Sequence, residues 1–205
     1  MQRELHAGIM HLTQLERLIP VIITDGLLKD AQQCVSPNFN QRPSGQEISL
    51  LVIHNISLPP RQFGGGFVHA LFCNQLDPSI DPYFLSIAGI KVSAHLFIDR
   101  MGKVTQFVPF TERAWHAGAS IFEGVADCND YSIGIELEGC DDIAYTDMQY
   151  DVLIRITHQI LLAYPKITPE RIVGHQQIAP ARKTDPGPAF DWLRFYSQLA
   201  SESRL

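Results

Sequence analysis

The stretch "SLLVIHN", residues 49–55, is a continuous apolar run that ends in a histidine and an asparagine. A short run with apolar side chains on both faces is typical of a strand in the interior of a sheet, because a half-exposed strand would alternate. The run "ERIVGH", residues 170–175, is another short strand pattern and also ends in a histidine. These two runs predict strands with polar residues at their carboxyl ends.

Strand and helix patterns are interspersed along the rest of the chain. The segment "YSIGIELEG" (131–139) alternates, with three aliphatic side chains on one face and Gly134, Glu136 and Glu138 on the other. The segment "TDMQYDVLIRITHQILLAYP" (146–165) has the spacing of an amphipathic helix. We therefore predict a single α/β domain, with a central mixed β-sheet flanked by α-helices.

Terminal signals define the predicted helices. Thr146 is a candidate N-cap, and Gln149 three residues later completes a capping box, while Pro165 ends the helix. A second helix is predicted at the C-terminus, from Pro188 to Leu199.

A further strand and hairpin are predicted in the middle of the chain. The segment "KVSAHLFID" (91–99) alternates, and "RMG" (100–102) predicts a hairpin turn into "KVTQFV" (103–108). The alternation places Val92, Ala94, Leu96 and Ile98 on one face, and Ser93, His95 and Phe97 on the other.

The composition excludes several classes of partner. The chain has 205 residues, a formal net charge of −6 and a pI near 5.7. This length is sufficient for one domain that buries about two-thirds of the surface of its unfolded state. The acidic balance argues against nucleic acid or an anionic membrane as a partner. We predict neither of these partners, and no obligate protein partner.

The N-terminal residues lack the features of an export signal. The segment "RLIPVIITDGLL" (17–28) is apolar, but Pro20 and Asp25 interrupt it, and no basic region or cleavage site accompanies it. It is also shorter than the roughly 20 apolar residues that span a bilayer. We predict an N-terminal extension, residues 1–20, followed by one domain, residues 21–205. Whether the extension is disordered, weakly helical or a start-codon artefact is left open by the sequence.

The cysteines indicate a reducing compartment. There are four, at positions 34, 73, 128 and 140, and they form no CxxC pair. Without an export signal they are interpreted as free thiols, because a core of this size does not need disulfides. We predict a cytoplasmic protein.

Three side chains form a candidate metal site. His54 and His175 each follow a strand-like run, and Asp185 lies in the proline-rich segment "RKTDPGPAFDW" (182–192). Functional groups of α/β sheets gather at the carboxyl ends of strands. Two imidazoles and a carboxylate suit Zn²⁺, and leave a fourth position open for water. The alternative is that the histidines are core or capping residues and that "TDPG" is an ordinary turn.

Candidate catalytic groups surround this set. Lys183 lies two residues before Asp185, so both side chains are expected to face one cavity, where the lysine would stabilise developing negative charge. Glu136 or Glu138 would line the same cleft as a general base. The alternation alone does not decide between the two glutamates, and the alternative is a solvated polar face. His95 is a candidate supporting residue behind the site.

Four separated blocks, in order, resemble the cytoplasmic 1,6-anhydro-N-acetylmuramyl-L-alanine amidases of the AmpD type. Members of this group are zinc amidases related in fold to peptidoglycan-recognition proteins. The resemblance extends from about Ile23 to Trp192. The blocks are "SLLVIHNISLPPRQFGG", "KVSAHLFIDRMGKVTQFVPFTERAWHAG", "NDYSIGIELEG" and "GHQQIAPARKTDPGPAFDW".

The resemblance implies a role for each of the candidate residues. By position, His54, His175 and Asp185 correspond to the zinc ligands of the family. Glu136, the first glutamate of "ELEG", corresponds to its acid/base residue, and Lys183 to its second catalytic group. The choice of Glu136 over Glu138 rests on this resemblance.

Substrate contacts are expected at Asn55, Tyr83, Lys91 and Trp115. An aromatic ring beside polar groups suits stacking on a sugar or peptide, although Trp115 is equally suited to core packing. Lys91 stands where the family is expected to have an arginine, and a lysine lacks the bidentate fork that binds a carboxylate. The segment "FEGVADCND" (122–130) contains no Arg or Lys where basic character is expected.

The resemblance implies hydrolysis of the amide between the lactyl group of anhydro-N-acetylmuramic acid and the L-alanine of a stem peptide. The expected partner is an anhydro-muropeptide, and the expected role is cell-wall recycling, with an indirect influence on β-lactamase expression. Two alternatives are a non-catalytic muropeptide-binding module and a zinc peptidase that cuts within the stem peptide.

Overall fold

The computed structural model describes residues 22–202, so the predicted extension 1–20 lies outside the described residues. The strands are β1 (Ile23–Thr24), β2 (Leu27–Leu28), β3 (Gln32–Gln33), β4 (Phe39–Asn40), β5 (Leu50–Ile56), β6 (Leu96–Ile98), β7 (Val104–Gln106), β8 (Arg113–Ala114), β9 (Ile121–Phe122), β10 (Val125–Ala126), β11 (Ser132–Glu138) and β12 (Ile172–Gly174). The α-helices are α1 (Phe67–Phe72), α2 (Pro82–Ser86), α3 (Asp147–Ala163), α4 (His175–Ile178) and α5 (Trp192–Glu202).

The main sheet has six strands in the order β12-β5-β11-β6-β7-β3. Strands β12, β5, β11 and β6 are parallel, while β7 is antiparallel to β6 and parallel to β3. The β6–β7 pairing confirms the predicted hairpin. The sheet is therefore mixed, as predicted, and its parallel strands bring their carboxyl ends to one edge.

Both faces of the central strands are covered, which explains the continuous apolar run of β5. On one face, aliphatic side chains of β5 and β11 such as Ile53 and Ile135 pack with Leu153 of α3 and Phe195 of α5. On the other face, Leu50 and Val52 of β5 pack with residues such as Tyr131 and Ile178. The segment 57–90 forms a further cluster around α1 and α2 that includes Phe97 of β6. Within residues 22–202, no helix has the length and apolarity to cross a membrane.

The long helix α3 begins and ends as predicted. The Thr146 hydroxyl accepts from the Gln149 backbone N–H, and the Gln149 side chain accepts from the Thr146 N–H, completing the capping box. Helix α5 begins at Trp192 and not at Pro188. The reason is local, because the Asp191 carboxylate accepts from the Arg194 backbone N–H at 2.9 Å and caps the helix there.

The predicted strand 91–99 is wrong in its extent and in part of its facing. Only Leu96–Ile98 form a strand, and Ala94 packs with Phe97 in the cluster around α1 and α2, while Leu96 and Ile98 face α3. The backbone N–H of Ser93 donates outside the main sheet, to the carbonyl of Trp115 at 3.1 Å. The regular alternation therefore begins only after this irregular segment.

Candidate metal centre and active site

Three neighbouring parallel strands carry the central residues of the site. Glu136 on β11 stands directly opposite His54 on β5, so their side chains lie on the same face of the sheet. On the other side of β5, Gly174 pairs with Ile53, and His175 follows at once as the first residue of α4. The pairing of the strands thus brings His54, His175 and Glu136 together at one edge.

The loop that carries Asp185 is anchored to the same edge. The Gln176 backbone N–H donates to the Asp185 carbonyl at 3.0 Å. The Asn55 amide donates to the Pro186 carbonyl at 3.1 Å and to the Asp141 carboxylate at 2.9 Å. Gly187 has a φ of +78°, and a Cβ there would lie 2.3 Å from the Asp141 Cα. Close backbone approach therefore requires glycine at position 187, and the anchored loop holds the Asp185 carboxylate at this edge.

Three potential ligand atoms converge at this point. The Nδ1 atoms of His54 and His175 are 3.0 Å apart, and each lies 3.1 Å from Oδ2 of Asp185. In the described part of the chain, this is the group of His, Cys, Asp and Glu side chains able to hold a metal ion. A tetrahedral zinc site with bonds of about 2.0–2.1 Å keeps its ligand atoms about 3.3 Å apart, and the observed triangle fits that spacing.

The hydrogen bonds around His54 determine which of its nitrogens carries the proton. The Ser132 hydroxyl donates to the Cys128 carbonyl at 2.5 Å, so its oxygen accepts from Nε2 of His116 at 3.1 Å. In a neutral imidazole, Nδ1 of His116 then bears a lone pair and accepts from Nε2 of His54 at 2.9 Å. Nδ1 of His54 is consequently left without a proton.

The same reasoning applies to His175, and it shows that the site fits a cation. Nε2 of His175 faces the Ala117 carbonyl at 3.1 Å, which only accepts, so Nε2 carries the proton of the neutral ring. With both rings in these neutral tautomers, the Nδ1 lone pairs of His54 and His175 and the Asp185 carboxylate are directed at one point. A bound cation relieves this repulsion, and two imidazoles with one carboxylate are ligands that Zn²⁺ accepts.

The two glutamates of "ELEG" have different surroundings. Glu138 is buried and fully engaged, since Oε1 accepts from the Gly64 N–H at 2.5 Å and Oε2 from the Arg100 N–H at 3.1 Å. Glu136 is also buried, but its Oε2 has no hydrogen-bond partner and the side chain lines the cavity beside the ligands. The geometry thus favours Glu136 over Glu138 as the carboxyl group available for chemistry, because both oxygens of Glu138 accept hydrogen bonds.

Burial raises the pKa of Glu136 well above its ordinary value, and the nearby Asp185 raises it further. The charge of Lys183 opposes both effects. Burial alone would also raise the pKa of Asp185, but its contacts with His175 and His54 bring it below its usual range. The site thus places a carboxyl group with a raised pKa, Glu136, beside one with a lowered pKa, Asp185.

An open cavity of about 750 Å³ lies above these residues. Glu136, Lys183, His175 and Asp185 line it, so Lys183 and Asp185 face one cavity, as predicted. His54 is buried and is not among the lining residues. The segment 57–90 forms its apolar wall through side chains such as Leu71. An exposed ion pair between Arg61 and Asp142, 2.5 Å apart, lies at its rim. The cavity is large enough for a drug-sized ligand.

Comparison with known proteins places this arrangement in a family. The family model described as N-acetylmuramoyl-L-alanine amidase matches residues 44–188, which contain all the residues above. The chain belongs to the N-acetylmuramoyl-L-alanine amidase family. It is 55% identical over 177 residues to the 1,6-anhydro-N-acetylmuramyl-L-alanine amidase AmpD of Haemophilus influenzae, and the match covers 86% of this chain and 96% of that protein.

Solved structures agree with this assignment. A crystal structure of a selenomethionine AmpD derivative has a TM-score of 0.84 and 51% identity, covering 86% of this chain and 98% of that one. The amidase AmiD of Escherichia coli, solved in complex with the substrate anhydro-N-acetylmuramic acid-L-Ala-D-γ-Glu-L-Lys, has a TM-score of 0.54 and 30% identity. That match covers 80% of this chain and 61% of the AmiD chain.

The amidase cavity contains some of the predicted substrate contacts and not others. Asn55 and Tyr83 line it, although the Asn55 amide is occupied by the loop that holds Asp185. Lys91 lies on a separate small cavity of about 110 Å³. The Trp115 indole N–H donates to the Asn40 side chain at 2.7 Å, and Trp115 is not among the residues that line the cavity of the site. The contact roles of these four residues stay predictions.

His95 lies two side chains away from the candidate ligands. Its Nδ1 accepts from the Gly134 backbone N–H at 3.0 Å, and its ring centroid is 5.7 Å from that of His116. His116 is the residue that sequence reasoning missed, since it contacts His54 directly. The signal available was its place in "RAWHAG" beside Trp115, but nothing in that spacing indicated a partner 62 residues earlier in the chain.

We expect the metal-free amidase to lose stability steeply in acid. Burial lowers the pKa of His54 to about 4 and of His95 to about 3, and that of His116 well below its ordinary value. The unfolded chain protonates these rings near pH 6.5, so it binds more protons than the folded chain below that pH, and stability present above it is lost towards pH 4. Three such rings give a slope of up to about 4 kcal/mol per pH unit, and Glu136, whose raised pKa has the opposite effect, offsets about one ring of it.

Urea unfolding between pH 8 and pH 4.5, with chelator present, measures this slope. Replacing His95 by asparagine removes one buried titrating ring. We expect the slope to fall by about 1.4 kcal/mol per pH unit, which corresponds to one proton. A stability that stays constant from pH 7 to pH 5 would contradict the neutral, buried state of the three imidazoles.

Proposed function

We propose that this chain is a zinc-dependent amidase that hydrolyses the amide between the lactyl group of anhydro-N-acetylmuramic acid and the L-alanine of a stem peptide. The observation that carries the proposal is the convergence of three potential ligand atoms beside the buried carboxyl group of Glu136, whose Oε2 has no hydrogen-bond partner. The substrate class is supported by the relatives, whose names specify this amide and one of which was solved with such a muropeptide.

His54, His175 and Asp185 would hold the zinc ion. When bound, zinc polarises a carbonyl oxygen and lowers the pKa of water towards about 7. The part of the protein is to keep the two Nδ1 lone pairs and the Asp185 carboxylate aimed at one point. The Ala117 carbonyl accepts a hydrogen bond from Nε2–H of His175, and Nδ1 of His116 accepts one from Nε2–H of His54. These hydrogen bonds keep the rings in that orientation.

Glu136 would act as the general base and then as the general acid. It lies one strand from His54, and its free Oε2 has no competing hydrogen bond. A raised pKa suits both roles, because the carboxylate is basic enough to take a proton from water and the acid readily gives it to the leaving amine.

Lys183 would stabilise the negative charge that develops on the carbonyl oxygen of the scissile amide. Its side chain is exposed but lines the cavity, and its charge acts on both Glu136 and His54. A cation placed where charge develops in the transition state contributes about two to three powers of ten in rate.

The setting proposed for this activity is cytoplasmic cell-wall recycling. All four cysteines are free thiols, including Cys34 and Cys73, whose sulfur atoms are 3.5 Å apart. Unpaired thiols at this separation suit a reducing compartment. The proposed partner is an anhydro-muropeptide, the kind of substrate with which a related amidase was solved.

Mass analysis of an anhydro-muropeptide incubated with the zinc-loaded protein tests the proposal. We expect release of the intact stem peptide, loss of activity with a chelator and recovery when zinc is restored. Stoichiometric zinc and muropeptide binding without any cleavage would instead establish a binding module, and cleavage inside the stem peptide would establish a peptidase.

A further inference from the structure

The ring of His116 lies on the polar face of β11, between the strand and the candidate ligand His54. It is buried, and its ring centroid is 5.0 Å from that of His54 at an interplanar angle of 84°. The backbone is fixed as well, since the Asn129 side chain accepts from the His116 N–H at 3.1 Å and from the Ala117 N–H at 2.8 Å. Both the backbone and the ring of His116 are therefore fixed in place.

Both ring nitrogens of His116 have a defined partner. Nε2 lies 3.1 Å from the Ser132 hydroxyl oxygen, whose own proton goes to the Cys128 carbonyl. Nδ1 lies 2.9 Å from Nε2 of His54. The Cys128 carbonyl, at the start of this series of hydrogen bonds, can only accept. The donor and the acceptor of each following hydrogen bond are therefore determined in turn. The series ends at His54, whose Nε2 carries the proton and whose Nδ1 does not.

Gly134 provides the space for this ring. A Cβ at position 134 would lie 2.5 Å from both Cγ and Nδ1 of His116, a distance at which the ring would have to move. Gly134 stands between Ser132 and Glu136 on the same face of β11. The absence of a side chain at this position is therefore a requirement of the imidazole packed against it.

We propose that His116, set by Ser132 and accommodated by Gly134, is a positioning residue that fixes the tautomer and orientation of His54. This inference rests on the proposed function, because the lone pair that it directs is the one that would bind zinc. An ordinary buried histidine would be satisfied by any pair of hydrogen bonds. Here the acceptor nitrogen, Nδ1 of His116, faces the candidate ligand His54. If His116 donated instead, the proton of the neutral His54 ring would lie on Nδ1, the atom that would bind the metal.

A pair of nearly isosteric variants separates positioning from packing. In His116→Asn, the amide oxygen replaces Nδ1 as an acceptor for the His54 N–H, whereas His116→Leu has similar size and no acceptor. We expect the leucine variant to bind zinc about 10–100-fold more weakly than wild type, measured by competition with a fluorescent chelator. The asparagine variant is expected to recover most of that loss. Equal weakening of the two variants would overturn the inference, since packing alone would then account for it.

Ring nitrogen chemical shifts in metal-free, ¹⁵N-histidine-labelled protein provide a readout independent of zinc and of activity. We expect His54 and His116 to have the proton on Nε2 in wild type, and His54 to show a mixture of tautomers in His116→Leu. A proton on Nδ1 of His54 in wild type would overturn the inference and leave the amidase activity to be judged separately. If wild-type protein bound no zinc, the proposed function would fail together with this inference.

Gly134→Ala tests the same unit without altering any hydrogen-bonding side chain. We expect it to weaken zinc binding to an extent similar to His116→Leu, because the added methyl displaces the ring from His54. In the His116→Asn background, where the smaller side chain leaves space, the added loss is expected to be much smaller. Additive losses in the double variant would show that Gly134 acts independently of His116. That result would contradict the inference that Gly134 provides the space for the His116 ring.

Discussion

Glu136→Gln is expected to lower kcat on an anhydro-muropeptide by about two to four powers of ten while zinc binding and KM change little. Glutamine preserves the size of the side chain and can neither take a proton from water nor return it to the amine. The side chain is no ligand in the proposed site, so metal content should be unchanged. Steady-state kinetics and metal analysis of the same preparation measure both quantities.

The matched control is Glu138→Gln, two residues along the same strand. That carboxylate accepts from the backbone N–H groups of Gly64 and Arg100, and glutamine retains only one acceptor oxygen for the two. We expect lower thermal stability and far smaller loss of turnover than in Glu136→Gln. If Glu138→Gln abolished turnover and Glu136→Gln did not, the division of roles between the two glutamates would be wrong.

Asp185→Ala is expected to remove the metal and, with it, nearly all activity. Structural zinc sites release about 10–16 kcal/mol on binding, so the loss of one ligand among four should weaken affinity by roughly three powers of ten. Chelator competition and metal analysis after dialysis measure the loss. Asp142→Ala is the control, because that carboxylate is exposed at the rim and pairs with Arg61. Retention of stoichiometric, tight zinc in Asp185→Ala would exclude Asp185 as a ligand.

The buried strands and their polar ends were predictable because a strand that is covered on both faces has a continuous run of apolar residues. The runs before His54 and His175 are apolar on both faces because helices α3 and α5 cover one face, and the cluster that contains Tyr131 and Ile178 covers the other. The capping box at Thr146 was equally clear, since it depends on residues three positions apart. Features of this kind are local, and local chemistry determines them.

The division between Glu136 and Glu138 depends on contacts that are distant in sequence. The partner of Glu138 is the Gly64 amide, 74 residues earlier, and no spacing within β11 reveals it. Segment 91–99 misled for a related reason, because the Ser93 amide pairs with a loop and interrupts the alternation. Long-range backbone pairings of this type leave little trace in a pattern of polar and apolar letters.

The segment 57–90 packs around its own apolar cluster, apart from the one beneath α3 and α5. It supplies much of the cavity wall, while His54 and Glu136 belong to strands, His175 begins α4 and Asp185 lies in the loop after α4. The residues proposed for chemistry and much of the cavity wall therefore belong to different portions of the chain. Grafting the corresponding segment of another amidase onto this sheet should redirect which stem peptides are accepted while the bond-breaking chemistry stays the same.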